Sequence, residues 1–388
     1  MLNLLPKSKE KYTMDITNNE YEIRFGAYSF PYFLCNDAST EFLEPLFQMV
    51  DVDIFIIVCD QTIGALYAPQ IAAAIRKNNY QCFVLTIKSG ESNKNLKTLE
   101  ELLEKALELK VTRSSCIIGL GGGLCGNIAG LMSVLLFRGI RLVHIPTSLM
   151  AILDSVISLK QAINSVHGKN LIGAYQVPVM VIANINFLKT LPRAEIVSGL
   201  CEIVKNALAI VPETIDYLMQ LGELGSLTEL NYNYLIDLGI KAKLTVMQND
   251  PFEKNEGLVL EYGHTIGHAI ELALNGQINH GQAVGLGMIS AAQIASLLGF
   301  LTEAEVDLHE TLLKKIGAPL RITGHLAIED IMSVLRFDNK RGYLKHDQGK
   351  IHLILLEKIG KPLAVNGSIL TAVPENVVCE GLQRVFRE

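Results

Sequence analysis

The sequence predicts an N-terminal α/β domain, in which helices cover both faces of a parallel sheet, and a mainly α-helical C-terminal domain. Three observations support this fold class. The chain has 388 residues, more than one ordinary hydrophobic core accommodates. Strand-like and helix-like patterns alternate up to about residue 145, and helical periodicity dominates beyond Pro192. We therefore expect domains at 21–191 and 192–388, after a loose leader at 1–20.

Apolar runs rich in β-branched residues indicate the buried parallel strands of the first domain. They lie at 53–59, 81–87, 116–120 and 141–145. Between them, the apolar spacing is typical of amphipathic helices at 68–77, at 96–109 and from a glycine-rich turn to about residue 136. Residues 20–50 alternate more weakly, which indicates short strands and a helix. This order predicts a Rossmann-like sheet.

Composition and charge argue against several classes of function. The formal net charge of −6 gives no reason to expect nucleic acid or an anionic membrane as a partner. The first residues contain no apolar run long enough for a signal peptide or a membrane span. The seven cysteines are scattered without CxxC pairs, which indicates reduced thiols. We expect a soluble, cytoplasmic globular protein.

A glycine-rich turn follows the third predicted strand. Gly121, Gly123 and Gly126 match G-x-G-x-x-G, in which bare backbone lets a pyrophosphate approach the amides at a helix N-terminus. The usual acid about 20 residues downstream is absent, because Arg141 stands there. Asp60, at the end of the first strong strand, is the acid best placed for a ribose hydroxyl. A purely structural role for the glycines stays the alternative.

The second domain carries a histidine-rich stretch within a predicted helix at 258–274. At about 100° per residue, Glu261, His264, His268 and Glu271 fall on one helical face. Imidazoles one turn apart, flanked by carboxylates, suit a divalent metal or proton transfer. Spacing alone nominates His264 and His268 as a ligand pair. A core helix that carries polar residues by accident is the alternative.

The rest of the chain completes this domain. Further helices are predicted at 195–209, 232–247, 281–298 and 303–315. Residues 342–356 have the pattern of a hairpin, the one late β signal, after a basic cluster at 338–341. Polar clusters at 147–154, 158–160 and 168–170 within a largely apolar stretch predict a binding loop.

From about residue 50 to 385, the chain resembles the 3-dehydroquinate synthase-like sugar phosphate cyclases. The motifs that carry the resemblance occur in the family's order: GGGLCGNIAG (121–130), FRGI (137–140), IPTSLMAILDS (145–155), GKNLIGAY (168–175), CEIVKN (201–206), YGHTIGHAIE (262–271) and NHGQAVGLGM (279–288). The resemblance implies a dehydroquinate synthase-like fold with an NAD-binding domain followed by a metal- and substrate-binding domain.

The resemblance also implies a metal site that differs from the pair nominated by spacing. Glu202 of the E-x-x-K helix, His264 and His280 would hold the ion, zinc or cobalt. His268 would then lie near the substrate as a proton or phosphate partner. Three protein ligands leave open positions for substrate oxygens, as catalytic metal sites require.

Other functional residues are implied by the same motifs. Catalytic roles fall to Lys160, Glu261, Lys205, Lys243 and His268. Substrate and phosphate would contact Arg138, Asp154, Asn170 and Lys340, and Arg138 would do so across a homodimer interface. NAD would contact Asp60, Glu91, Lys94, Gly122, Gly123, Asn127, Thr147, Ser148, Lys160 and Lys169. Asn127 departs from the Asp usual in quinate-forming members.

Within the family, the motifs resemble most closely those of the branch that forms 2-deoxy-scyllo-inosose from D-glucose 6-phosphate, the first step towards 2-deoxystreptamine aminoglycoside antibiotics. Quinate-forming members have Asn where Glu261 stands, and Arg where Gly257 stands. That arginine serves a substrate carboxylate, so its absence favours a neutral sugar. The implied sequence is oxidation at C4 by NAD, phosphate elimination, reduction, ring opening and intramolecular aldol closure.

Three alternatives remain open at this point. One is 3-dehydroquinate synthase, which Gly257 and Glu261 disfavour. Another is a metal-dependent polyol dehydrogenase of the glycerol dehydrogenase type, which has no need of phosphate-binding lysines. The third is an inactive binding subunit, disfavoured because all three implied metal ligands are present.

Overall fold

The structure is a computed structural model that describes residues 18–222, 224–323, 326–336 and 349–386. Most of the predicted leader, Lys340 and the basic cluster at 338–341 lie outside these residues. The chain forms two compact units. The first comprises Met1–Ile163 and Ile172–Leu191, and the second comprises Asn164–Leu171 and Pro192–Glu388. Within the described ranges, none of the helices is both long enough and apolar enough to cross a membrane.

The first unit is built on a seven-stranded sheet. The strands up to residue 184 are β1 (Asn18–Phe25), β2 (Tyr28–Cys35), β3 (Ile54–Asp60), β4 (Gln81–Ile87), β5 (Cys116–Gly121), β6 (Arg141–Pro146), β7 (Lys160–Ser165), β8 (Gly168–Tyr175) and β9 (Met180–Asn184). The sheet order is β1-β2-β9-β6-β5-β3-β4, with β7 and β8 paired separately. Only β1 runs antiparallel to its neighbour in this sheet. The predicted parallel sheet is confirmed, whereas β9 had no prediction.

Helices cover both faces of the sheet, as predicted. They are α1 (Glu44–Met49), α2 (Gln61–Leu66), α3 (Ala68–Lys77), α4 (Leu96–Glu108) and α5 (Gly123–Leu135). Successive side chains of a strand point to opposite faces. Phe55 and Ile57 of β3 accordingly belong to the core that contains α3 residues, and Ile56 and Val58 to the core that contains α4 and α5 residues.

The glycine-rich turn lies where the strand order reverses. From β3 the chain first adds β4 on one side, and then returns to add β5 on the other side. Asp60 ends β3 and Gly121 ends β5, and the two strands pair in parallel with Val58 opposite Gly119. Ligands of open parallel sheets bind at the carboxyl ends of strands beside such a switch point. This topology explains why the glycines follow the third predicted strand.

The second unit is mainly helical. Its helices are α6 (Arg193–Ala209), α7 (Ile215–Gln220), α8 (Glu229–Met247), α9 (His264–Ala273), α10 (His280–Leu297), α11 (Glu303–Lys315), α12 (Ile328–Leu335) and α13 (Glu375–Phe386). Helix α10 packs against α6, α9, α11 and α13 and is buried along most of its length. The predicted helix at 303–315 has the observed bounds, because a capping box at Thr302 starts it and Gly317 follows its end.

The predicted helix at 258–274 is wrong in its first turn. Glu256–Glu261 forms a 3-10 segment, and α9 begins only at His264. Between them Gly263 has φ of 76°, which glycine adopts without steric cost. A Cβ on Gly263 would lie 2.6 Å from Met288 Cγ of α10, so close helix packing also excludes a side chain. Glu261 therefore does not share the helical face of His264.

The described residues contain more late β structure than the sequence predicted. The strands are β10 (Lys350–Ile354), β11 (Leu356–Lys358), β12 (Lys361–Pro362) and β13 (Leu370–Pro374). Antiparallel pairs form between β10 and β13, and between β11 and β12. The hairpin predicted at 342–356 begins outside the described residues and stays a prediction; within its described part, Lys350–Ile354 pairs with β13. The predicted binding loop is also more regular than expected, with a π-helical turn at Ala151–Ser155 and the β7–β8 hairpin.

Candidate functional site

Three helices of the second unit bring together the residues implied as metal ligands. Glu202 lies in α6, while His264 and His280 are the first residues of α9 and α10. One potential ligand atom from each residue lies within 4.8 Å of the other two. Glu202 and His264 are buried, and His280 is partly exposed. The partial exposure of His280 is consistent with a site that a substrate can reach.

The charge and hydrogen bonding of Glu202 suit a metal ligand. Its Oε2 atom forms an ion pair with Lys205 one turn along α6, and both side chains are almost completely buried. Its Oε1 atom is buried and makes no hydrogen bond to any residue that the structure describes. This oxygen lies 3.6 Å from His264 Nε2. Oxygen and imidazole donors suit zinc or cobalt, so the donor set fits such an ion.

The ring of His264 is oriented by a chain of buried hydrogen bonds. His264 Nδ1 lies 3.2 Å from the Tyr262 carbonyl, which can only accept, so Nδ1 carries the proton and the lone pair of the ring lies on Nε2. Tyr262 is held in turn by His309 of α11. The Nδ1 atom of His309 donates to the Glu305 carbonyl at 2.7 Å, so its Nε2 atom accepts from the Tyr262 hydroxyl at 2.9 Å. Burial lowers the pKa of His309 to about 4 and keeps this ring neutral.

His280 is oriented by a charged side chain instead. Its Nδ1 atom lies 3.1 Å from Glu271 Oε2, and Glu271 Oε1 lies 2.5 Å from Lys169 Nζ. Burial alone would raise the pKa of Glu271. The hydrogen bonds and charges of His280 and Lys169 outweigh burial and lower that pKa well below its usual range. An ionised carboxylate can only accept, so His280 Nδ1 donates to it and leaves Nε2 as the ligand atom.

His268 completes a triangle of imidazoles. Its ring centroid lies 5.4 Å from that of His264 and 5.3 Å from that of His280, on which it stacks. His268 does not belong to the set whose ligand atoms meet, so the geometry favours Glu202 over His268 as the partner of His264. The predicted role of His268 in proton or phosphate contacts stays a prediction.

Two further predicted catalytic residues of the second unit lie in different settings. Lys243 of α8 is buried. Glu261 lines a narrow cleft beside Thr265, Ile266 and Leu353, and none of the three ligands lines that cleft. The roles of Lys243 and Glu261 therefore rest on the family motifs and stay predictions.

The structure gives a physical reason for glycine at position 257. The Gly257 amide donates to Asp250 Oδ2 at 3.0 Å, and a Cβ on Gly257 would lie 2.9 Å from that oxygen. Asp250 is buried and also accepts from the amides of Lys254 and Asn255. A side chain at position 257 would have to displace this carboxylate and open the loop. The Asp250 carboxylate therefore lies where the side chain of any larger residue at position 257 would begin.

In the first unit, the glycine-rich turn leaves the N-terminus of α5 accessible. Gly122 is the N-cap residue of α5 and provides no side-chain cap. A Cβ on Gly123 would have no neighbour within 4 Å, so the space in front of the helix is open. The segment that follows β6 contacts this turn. The Thr147 amide donates to the Gly121 carbonyl at 3.0 Å, and Ser148 Oγ lies beside Gly122. These features fit a pyrophosphate group at the helix N-terminus.

Asp60 has a structural role in addition to its predicted contact with ribose. Its Oδ1 atom accepts from the amides of Thr62 and Ile63, which caps α2. Its Oδ2 atom lies 3.7 Å from Cys125 Sγ in α5, so the carboxylate stands beside the glycine-rich turn. The switch-point position supports the prediction, but the helix cap alone would also account for an acid here.

Asn127 links two elements of the first unit. Its Nδ2 atom donates to the Gly123 carbonyl at 2.9 Å, and its Oδ1 atom accepts from the Ala162 amide at 2.7 Å. The side chain thus joins the first turn of α5 to β7, the strand that begins with Lys160. Both polar groups of Asn127 are used within the fold, and its predicted contact with NAD stays a prediction.

The other predicted residues of the first unit are dispersed. Lys94 is buried, and its Nζ atom lies 4.0 Å from Glu91 Oε1, so two predicted cofactor residues form an ion pair with each other. Asp154 lies in the π-helical turn, a feature frequent at functional sites. Arg138 is exposed on a turn in which Phe137 and Arg138 have φ of 52° and 64°. Left-handed backbone at such residues is costly and is concentrated at functional sites.

Asn170 and Lys169 belong to the tip of the β7–β8 hairpin, which is part of the second unit. Asn170 is exposed with φ of 54°, and its amide donates to Asn164 Oδ1 at 3.0 Å across the hairpin. Lys169 makes the buried ion pair with Glu271. Their predicted contacts with substrate and cofactor stay predictions.

Comparison with known proteins identifies the family. The N-terminal and C-terminal models of 3-dehydroquinate synthase match residues 84–198 and 199–341. The 2-deoxy-scyllo-inosose synthase of Streptoalloteichus tenebrarius is 47% identical over 289 residues, which cover 74% of this chain and 75% of that protein. This chain belongs to the 2-deoxy-scyllo-inosose synthase family. The resemblance inferred from the motifs is thereby confirmed.

Solved structures related to this family confirm the predicted fold. A crystal structure of 2-deoxy-scyllo-inosose synthase complexed with carbaglucose-6-phosphate, NAD+ and Co2+ is 35% identical, with a TM-score of 0.84, and the match covers 95% of this chain and 100% of that one. The 2-epi-5-epi-valiolone synthase of Streptomyces hygroscopicus, with NAD+ and Zn2+ bound, is 24% identical, with a TM-score of 0.77 over 92% of this chain and 96% of that one. At that identity the second match shows the fold alone.

Proposed function

We propose that this protein is a carbon–oxygen lyase that converts D-glucose 6-phosphate to 2-deoxy-scyllo-inosose and inorganic phosphate. One observation carries the proposal. Glu202, His264 and His280 converge in a member of a family for which a solved structure holds a sugar phosphate analogue, NAD+ and Co2+. The product would be the first carbocycle on a route to 2-deoxystreptamine antibiotics.

Glu202, His264 and His280 would hold the metal, and the turn at Gly122 and Gly123 would hold the pyrophosphate of NAD+. When bound, the metal would supply a Lewis acid for sugar oxygens, and NAD+ would supply reversible hydride transfer. The chain itself prepares the metal ligands. Lys205 pairs directly with one oxygen of Glu202, and the acceptors at Nδ1 hold both histidine ligands in the tautomer whose lone pair lies on Nε2.

Other side chains would bind the phosphate and move protons. Lysines suit a phosphate dianion, and the family motifs assign that contact to several of them. The ring centroid of His268 lies 5.4 Å from that of His264 and 5.3 Å from that of His280, so His268 can exchange a proton or donate to phosphate at that site. Glu261 would accept the proton lost in the elimination. In Glu261→Gln, which removes the acceptor and keeps the shape, we expect phosphate release to collapse while NAD+ and metal still bind.

The loop at Gly257 supports a neutral sugar as the substrate. A buried substrate carboxylate requires a charged partner, usually a bidentate arginine. Gly257 provides no such cation, and the Asp250 carboxylate lies 2.9 Å from where the Cβ of a side chain at this position would be. We therefore expect the seven-carbon acid phosphate of the quinate branch to be a poor substrate.

The test is turnover by the purified protein with Co2+ and substoichiometric NAD+. We expect D-glucose 6-phosphate to yield phosphate and a carbocyclic ketone in equal amounts, over many turnovers per NAD+, without accumulation of NADH. Sustained NADH formation would instead indicate a polyol dehydrogenase. Faster turnover of the acid phosphate would indicate 3-dehydroquinate synthase.

We further propose that the enzyme is a cytoplasmic homodimer. All seven cysteines, each within the described ranges, are free thiols, which suits a reducing compartment. The exposed left-handed turn at Arg138 suits a contact with the phosphate bound by a partner protomer. Light scattering that finds a monomer under conditions of full activity would contradict the dimer.

A further inference from the structure

We propose that Glu271 is a positioning residue that links the metal ligand His280 to Lys169 at the tip of the β7–β8 hairpin. The inference deepens the proposed function, because it concerns the same metal site. It assigns a role to a carboxylate that is not one of the three implied ligands. It also assigns Lys169 a contact other than its predicted one with NAD.

The geometry divides the two oxygens of Glu271 between two partners. Oε2 lies 3.1 Å from His280 Nδ1, and Oε1 lies 2.5 Å from Lys169 Nζ. The side chains of Glu271 and Lys169 are only 11% and 9% exposed. A carboxylate so little exposed is stable only when it is paired and hydrogen-bonded, which both contacts provide. Glu271 is therefore held in one orientation, and it holds the His280 ring in one orientation.

The two histidine ligands differ in what holds them. His264 donates to a backbone carbonyl, which is neutral and does not depend on any one side chain. His280 donates to a carboxylate, and an anion behind an imidazole raises the basicity of its ligand nitrogen. His280 is also the more exposed of the two ligands, so fewer neighbours restrict its ring. The structure thus makes His280 the ligand whose position depends most on a single side chain.

Lys169 contributes through Glu271 because the two are ion-paired. The lysine belongs to the hairpin tip Asn164–Leu171, which is distant in sequence from α9. Without its Nζ atom, Glu271 would have one fixed oxygen and one free oxygen, and the carboxylate could rotate away from His280. The hairpin tip is therefore expected to affect metal affinity even though it supplies no metal ligand.

The test is a Co2+ titration of the metal-free full-length protein, followed by the visible absorption of bound Co2+, and it needs no turnover. We expect Glu271→Gln to weaken Co2+ binding by about 10- to 100-fold, the usual effect of removing a carboxylate behind a histidine ligand. The spectrum at saturating Co2+ should also change, because the ring of His280 is less well fixed. Glu271→Asp, which keeps the charge, should restore part of the affinity.

A matched control is available in the same unit. Glu213 pairs with Lys241 at 2.5 Å, the same distance as the Glu271–Lys169 pair, but at an exposed position. Glu213→Gln removes a similar ion pair and should leave Co2+ affinity and spectrum unchanged. A similar loss of affinity in Glu213→Gln would show that charge alone, and not position, is responsible, and would overturn the proposal.

A double-mutant cycle tests the role of Lys169. We expect Lys169→Met to weaken Co2+ binding at least about threefold in the wild-type background and to have no further effect in Glu271→Gln. If Lys169 acted only as a cation near the metal, its removal would strengthen Co2+ binding in both backgrounds, and that result would contradict the proposal. If Glu271→Gln does not fold, Lys169→Met and Glu271→Asp decide the question.

The outcomes separate this proposal from the proposed function. Wild-type affinity and spectrum in Glu271→Gln would overturn the positioning role, whatever the substrate is. Weakened Co2+ binding in a protein that releases no phosphate from glucose 6-phosphate would support the positioning role and refute the proposed function. If the wild-type protein binds no Co2+, the positioning role is refuted as well.

Discussion

The two candidate sites differ in the groups that form them: backbone groups form one, and side chains form the other. The nucleotide site of the first unit consists of backbone amides and strand ends, and Gly122 and Gly123 contribute no side chain to it. The candidate metal site of the second unit consists of three side chains, one from each of three helices. Two of these side chains, Glu202 and His264, are buried. The difference implies opposite sensitivities. The first site should be damaged by adding atoms, and the second by removing charge.

The largest effect is expected from removing Glu202. Glu202→Ala should abolish metal binding and also destabilise the fold by about 3–5 kcal/mol, because it leaves Lys205 buried without this partner. Chemical denaturation of the metal-free protein measures the second effect. The double variant Glu202→Ala/Lys205→Met removes both charges and should regain most of the stability without regaining metal. An equal loss of stability in the double variant would contradict this explanation.

The next largest effect concerns two buried histidines, one in each unit. Burial lowers the pKa of both His144 and His309 from 6.5 to about 4. Because the unfolded chain binds these protons more readily, stability is complete above about pH 6.5 and is lost as pH falls towards 4. Each histidine should account for on the order of 3 kcal/mol at the acid end.

The two histidines differ in their surroundings, and that difference can be tested. Both ring nitrogens of His144 lack a hydrogen-bond partner among the described residues, whereas those of His309 are both paired. His144→Leu should therefore remove about half of the acid sensitivity without losing a hydrogen bond. The denaturant midpoints of the wild-type protein and of His144→Leu, each at pH 7 and pH 5, measure this effect. If the difference between the two pH values is the same in both proteins, His144 is not responsible for the acid sensitivity.

A smaller effect is expected from adding a methyl group at the nucleotide site. A Cβ at Gly123 meets no atom within 4 Å, so Gly123→Ala should leave the free energy of unfolding within about 1 kcal/mol of wild type. NAD+ affinity should nevertheless fall about tenfold or more, about 1.4 kcal/mol, because the methyl group would occupy the space proposed for the pyrophosphate. Calorimetric titration with NAD+ measures this change. Wild-type affinity would refute the proposed position of the pyrophosphate.

Gly121 provides the matched control for Gly123. It has φ of 147°, and its Cβ would lie 2.6 Å from Cys125 Sγ. Gly121→Ala should therefore destabilise the fold itself by about 1–3 kcal/mol. Equal effects of the two substitutions on stability would contradict the distinction between a packing glycine and a binding glycine.

The smallest effect is expected at Asn127. Asn127→Asp keeps the acceptor for the Ala162 amide and loses only the donor to the Gly123 carbonyl, at a cost of about 1 kcal/mol or less. NAD+ affinity should change by no more than about fivefold. A loss as large as that of Gly123→Ala would show that Asn127 contacts the cofactor directly.

The same contrast explains how much could be predicted from the sequence. The elements α3, β4 and α11 have the predicted bounds, because their periodicity and end signals are local. The helix predicted at 258–274 was wrong at its start, where Gly263 has a left-handed φ and lies so close to Met288 of α10 that a Cβ would not fit, and no local pattern records that packing. The strand β9, which lies between β2 and β6, and the pairing of β10 with β13 likewise depend on distant partners.

Helical spacing could not predict the candidate metal ligands for a related reason. Helical spacing nominated His264 and His268, which share α9, whereas the residues that meet come from three helices. Only the resemblance to the family pointed to Glu202 and His280. The hydrogen bond from Tyr262 to His309 was missed altogether, because nothing in the sequence around His309 signals it. The glycine-rich turn could be predicted directly, since the glycine spacing that defines it is local in the sequence.

The most direct test of this account is a crystal structure of the Co2+-loaded protein with anomalous scattering measured at the cobalt absorption edge. We expect one strong peak bonded to Glu202 Oε1, His264 Nε2 and His280 Nε2, with Glu271 hydrogen-bonded to His280 and not bonded to cobalt. A peak bonded to both His264 and His268 without Glu202, or a peak elsewhere in the protein, would contradict it.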